Sequence, residues 1–75
     1  MKSPIIGHEY VRFDGKYYCV LTDVRTVFDY DIKRIKVNGL VRKADKQSRW
    51  TPFDDAFYWE GFEKEWFHVG EYLSE

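Results

Sequence analysis

A single cysteine, two prolines and five scattered glycines in 75 residues exclude several kinds of chemistry at the outset. Cys19 has no partner for an internal disulfide and cannot build a multi-cysteine zinc site. Within the apolar run 17–21 it reads as a buried thiol, not a nucleophile. His8 and His68 stand far apart in the sequence and in no ligand spacing. Gly7, Gly15, Gly39, Gly61 and Gly70 never cluster, so no glycine-rich phosphate loop is present. Ser3, Ser48 and Ser74 lie in polar ends or loops without a motif that would activate a hydroxyl. Asp54-Asp55 and Glu63/Glu65 could pair as carboxylates, but such pairs on a helix start or turn read as solvated surface. No apolar run approaches the roughly 18 residues of a membrane span, and no signal-peptide core follows Met1-Lys2-Ser3. The expectation is a soluble cytoplasmic domain, not an enzyme, needing no metal or cofactor.

What the chain has in abundance is aromatic residues, at 20%. Each buried ring removes on the order of 150 to 250 Å² from water, which helps so short a chain to stabilise one core. Residues 57–73 hold seven of the fifteen rings, so the core must draw on this stretch. Charge is uneven beneath a net value of −1: residues 1–50 carry eleven Lys/Arg against six acids, and residues 51–75 one Lys against seven acids. Either the two halves neutralise each other, or two faces of opposite sign exist and one meets a charged partner.

Pro4 and Gly7 keep helix out of the lead-in. Then HEYVRF, Asp14-Gly15 and KYYCVL read as a hairpin, with Asp-Gly suited to a type I′ turn. Pairing across it sets Val11 opposite Tyr18 and Tyr10 opposite Cys19. The second strand is apolar on both faces and should be central. Asp29-Tyr30-Asp31 is a polar break. Residues 32–37, Asn38-Gly39 and 40–44 repeat the hairpin signature, with Ile35, Val37 and Leu40 on one face and Arg34, Lys36 and Lys43 on the other. A competing reading makes 32–37 a short helix capped by Asn38-Gly39. Residues 44–49 read as a polar loop.

Two templates fit the last third. Thr51-Pro52 is a good helix start, and Trp59, Phe62, Trp66, Val69 and Leu73 keep a helical spacing. Alternatively, strands near 56–59 and 65–69 are joined by a tight connection at 60–64, since Trp66-Phe67-His68-Val69 suits a strand.

The stretch YWEGFEKEWFHVGEYL, residues 58–73, resembles the closing part of chromo-barrel and tudor-like domains, and GHEYVRFDGKYYCVLTDV, residues 7–24, resembles their opening strands. The resemblance implies a small SH3-like barrel, with residues 27–51 as an inserted basic hairpin and 52–75 as closing aromatic strands of one domain. It also implies an aromatic cage for methylated lysine, to which Tyr17 or Tyr18, Trp59 and Phe62 correspond.

Three functions from different classes follow. A non-catalytic protein-binding module would use exposed rings at the barrel mouth, Tyr18, Trp59 and Phe62, with Glu60 and Glu63 beside them. A nucleic-acid binder would use the basic segment, Arg34, Lys36, Arg42, Lys43, Lys46 and Arg49, with Tyr30 and Trp50 at its flanks. In size and charge the chain is also similar to small phage or mobile-element proteins that inhibit a host nuclease or defence protein by occluding a basic site.

Overall fold

The computed structural model describes residues 3–45 and 48–73. Along them run β1 (His8–Arg12), β2 (Tyr17–Asp29), β3 (Ile32–Lys43), β4 (Thr51–Pro52), β5 (Phe57–Tyr58), α1 (Trp59–Glu65) and β6 (Trp66–Glu71). All pairings are antiparallel, in the order β4-β3-β2-β1-β6, with β5 joining β3 off this path. The protein is therefore mainly β, one antiparallel sheet with one short helix.

The sheet does not close into a barrel, because β4 and β6 do not pair. Its two edges instead meet through side chains. Trp50, just before β4, donates its indole N–H to the Tyr72 hydroxyl, just after β6, at 3.3 Å, with the rings edge-on.

The first hairpin keeps the register that its sequence implies, Tyr10 opposite Cys19 and Val11 opposite Tyr18. Its turn differs. Only Gly15 takes a positive φ, +73°, and its N–H closes the turn on the Arg12 carbonyl at 2.8 Å, while Asp14 accepts from the Lys16 N–H at 3.0 Å. A type I′ turn would need Asp14 in the left-handed region as well.

Asn38-Gly39 is not a turn at all. Both residues lie inside β3, and the chain reverses at Tyr30 and Asp31, whose φ of 51° and 66° between the paired Asp29 and Ile32 make the two-residue turn. Gly39 serves a different need. The β2–β3 register shifts between Leu21 and Asp23, so that Thr22 is the extra residue of a bulge opposite Asn38 and Gly39. There the Val20 carbonyl oxygen occupies the space of a Gly39 side chain, and the Gly39 N–H is taken by the Asn38 amide oxygen at 2.9 Å.

Continuity of β3 also rules out the helix over 32–37 and changes its faces. Strand alternation places Arg34, Lys36, Leu40 and Arg42 together, opposite Ile35, Val37, Val41 and Lys43. Leu40 and Lys43 thus exchange the faces expected with a turn at Asn38.

In the last third each template is right in part. Thr51 and Pro52 begin no helix; they form an edge strand, where proline's missing N–H costs nothing. The helix is only the seven-residue connection between β5 and β6. Trp59 and Phe62, three apart, turn inward together. At Trp66 the backbone becomes extended while its N–H still bonds the Phe62 carbonyl, which switches the chain into β6.

The core is Tyr10, Cys19, Leu21, Val37, Trp59 and Phe62. Phe62 lies at its centre, stacked on Trp59 at 5.6 Å and on Trp66 at 5.4 Å and met edge-on by Tyr10 at 5.4 Å. Such ring pairs each add about 0.5–1.5 kcal/mol beyond the area they bury.

The molecule extends 43 × 20 × 20 Å. Thirteen residues of β2 at about 3.3 Å each account for the long axis. Past the pairing of β3 with β5 at Lys36 and Val37, β2 and β3 have no further strand neighbour among the described residues, so residues 25–35 form a two-stranded arm. Among the described residues no helix is long and apolar enough to cross a membrane.

Candidate functional site

The arm ends in large side chains that its own fold does not bury. Phe28 is 74% exposed, Tyr30 94% and Ile32 63%. Tyr30 is also one of the two non-glycine residues held at positive φ among the described residues. Left-handed backbone costs a non-glycine residue roughly 1–2 kcal/mol, and no packing of the Tyr30 ring offsets it.

The base of the arm is anchored by one side chain. Arg34 pairs with Glu60 of α1 and with Asp29 of β2 at 3.4 Å, and its guanidinium carbon stands 3.5 Å from the centre of the Tyr58 ring. The hydrogen bond that Arg34 donates to Glu60 raises the already high guanidinium pKa. Lys36 approaches the same ring at 4.9 Å. Between arm and helix lies an open groove of about 430 Å³ whose walls include Tyr30, Ile32, Arg34, Tyr58 and Glu63.

A second cation–ring cluster lies on the β3 face that carries Arg42. The Arg42 guanidinium is 5.2 Å from the Tyr18 ring and 5.1 Å from the Trp50 ring, and Trp50 continues to Tyr72. The same guanidinium donates to the carbonyls of Lys43 and Asp45, which holds it in place.

The sequence-derived protein-binding residues divide. Trp59 and Phe62 are not exposed rings: they are 6% and 2% exposed and form the core, because α1 lays this pair onto the sheet. Tyr18 points to the other face from Cys19 and is half-buried beside Arg42, so it does not converge with Trp59 and Phe62, and burial of those two rings leaves neither Tyr17 nor Tyr18 exposed cage partners there. Glu60 is exposed and paired to Arg34, and Glu63 is half-buried at the groove.

Of the basic set, Arg34, Lys36 and Arg42 share a face but stand against rings and acids. Lys43 lies on the opposite face, Arg49 is exposed outside the strands, and Lys46 is outside the described residues. The basic hairpin projecting from Asn38-Gly39 does not form; the arm that projects is the one turning at Tyr30.

Sequence reasoning missed two things. Phe28, Tyr30 and Ile32 alternate around two acids, and a polar break should not hold three such side chains. His8 and His68, sixty positions apart, meet with Nδ1 and Nε2 at 2.7 Å, because β1 pairs with β6. Among the described residues no group of three or more His, Cys, Asp or Glu is placed to hold a metal ion. Comparison with protein-family models, curated proteins and solved structures finds no match to this chain.

Proposed function

We propose that the protein is a non-catalytic protein-binding module that engages its partner through the tip of the β2–β3 arm and the groove at the base of that arm. The observation that carries this reading is Tyr30, a ring almost wholly in solvent at a backbone position that disfavours it. Strain of this kind persists where function keeps it, and asparagine and glycine would make the same turn at less cost. Flanking Phe28 and Ile32 give the tip an apolar surface, and Lys33, Asp29 and Glu60 border it with charge of both signs. An apolar centre with a polar rim is the usual anatomy of a protein interface.

Nucleic-acid binding has weaker support, since Arg34 is already neutralised by Asp29 and Glu60. A partner that accepts the arm in a cleft would have that cleft blocked, so an inhibitory effect would follow from the same contact.

Affinity capture tests the reading with the full chain and a Tyr30→Asn/Asp31→Gly double variant, whose turn should be stabilised. A protein retained by the wild type and lost by the folded variant, unaffected by nuclease treatment, is the expected result. Equal retention by both overturns the arm as the contact, and loss on nuclease treatment transfers the function to nucleic acid.

A further inference from the structure

At the opposite edge of the sheet, β6 has a free side. The Phe13 N–H bonds the Glu65 carbonyl at 2.7 Å, so 13/65 is a hydrogen-bonded pair of the β1–β6 ladder. Antiparallel pairs alternate, which makes Val11/Phe67 the next bonded pair and leaves the N–H and C=O of Trp66 and His68 directed away from β1. The Trp66 N–H is taken by the Phe62 carbonyl, and among the described residues no strand pairs with the Trp66 C=O or with the N–H and C=O of His68. Natural sheets protect such an edge with lysine, proline or a covering element. Residues 66–71, WFHVGE, contain neither lysine nor proline, and Phe67 and Val69 are 56% and 52% exposed.

Beside this edge is a groove of about 550 Å³ with walls of Ile5, Tyr10, Trp59, Trp66 and His68 and one carboxylate, Glu63. We infer that the β6 edge and this groove form a docking site for an extended segment of a partner protein, which adds as a strand to β6, inserts an aliphatic side chain into the groove, and presents a lysine or arginine to Glu63.

Charge selects this occupant over a second copy of the chain. Glu63, Glu65 and Glu71 make no ion pair among the described residues, and all three flank the edge or the groove. Antiparallel pairing of two β6 strands about His68 would set Glu65 of each copy opposite Glu71 of the other, a like-charge contact that destabilises a sheet. A basic segment meets the same acids favourably. Main-chain bonds to the Trp66 carbonyl and to the N–H and C=O of His68 would supply affinity, and the groove with its carboxylate would supply selection. Glu63 also lines the groove at the base of the arm, and separate amide readouts at His68 and at Tyr30 and Asp31 keep the two sites distinguishable.

The experiment uses the full chain and a labelled heptapeptide alternating valine or isoleucine with lysine and threonine. Binding should shift the His68 amide signal and slow its hydrogen exchange, leaving Tyr30 and Asp31 unmoved. N-methylation of the peptide backbone at alternate positions should abolish binding, and Glu63→Gln should weaken it about tenfold or less. That loss should disappear when the lysines are replaced by glutamine. Because the methylation is on the ligand, no folding defect can mimic its effect. Binding that survives methylation, shifts confined to the arm, or no binding at millimolar peptide overturns the proposal. Concentration-dependent dimerisation that protects the same amide would assign the edge to a second copy instead.

Discussion

The carbonyl oxygen of Val20 fills the place that a side chain on Gly39 would take, and Leu21 Cα closes the same space at 3.0 Å. Both obstacles are backbone of the central strand, so neither can swing aside. Gly39→Ala should therefore separate β2 from β3 at the bulge and cost about 3 kcal/mol, in the upper range for a single substitution. Urea denaturation measures this directly. An unchanged midpoint would mean that the two strands do not approach so closely.

The same site shows why part of the fold could be read from sequence and part could not. The Asp14-Gly15 hairpin was legible because its turn, its strand length and the double-faced apolar run of β2 agree on one register. Asn38-Gly39 carries the same local signal but is overruled by a long-range one: the ladder continues past it to Lys43, with a bulge that demands glycine for closeness, not for a left-handed φ. Turn chemistry sees four residues, whereas a bulge depends on the strand opposite. The true turn at Tyr30 and Asp31 lacked any glycine or asparagine to reveal it. For the candidate site, Glu60, Glu63 and Arg34 were legible as charged residues, but burial of Trp59 and Phe62 was not, because a seven-residue helix between strands is too short for periodicity to separate from sheet.

Relief of the strained turn is the second expectation. Tyr30→Asn with Asp31→Gly supplies the residue pair that type I′ geometry favours, and should raise stability by about 1 kcal/mol. Thermal and urea unfolding should both register the gain. A loss would show that the Tyr30 ring supports the arm despite its exposure.

Trp59 and Tyr18 should behave oppositely on truncation. Trp59 is 6% exposed, in ring contact with Tyr10 and stacked on Phe62, so Trp59→Ala should cost roughly 3–5 kcal/mol and leave a largely unfolded population in so small a domain. Tyr18→Ala removes a half-buried ring whose principal polar neighbour is Arg42, and should cost about 1 kcal/mol, within the usual range for one cation–ring contact and its area. Near-ultraviolet circular dichroism at 25 °C separates the two outcomes. Native signal retained by Trp59→Ala would place that ring outside the core.

Cys19 links the core to alkaline pH. Burial is the main cause that lifts its thiol from an ordinary value of 9.0 to about 12 in the folded chain. Burial also raises the Tyr10 hydroxyl. Below pH 9 both folded and unfolded chains keep the thiol proton, and its contribution to stability is complete. Between pH 9 and about 12 the unfolded chain releases the proton while the folded chain holds it, so stability falls as pH rises, by at most about 1.4 kcal/mol per unit for this group. The comparison that isolates the thiol is Cys19→Ala. Urea midpoints measured from pH 8 to 11 should decline more steeply for the wild type than for the variant. Thiol reagents at pH 8 should label Cys19 no faster than the chain unfolds. Parallel pH profiles, or labelling that outpaces unfolding, would show that solvent reaches the sulfur through the sheet.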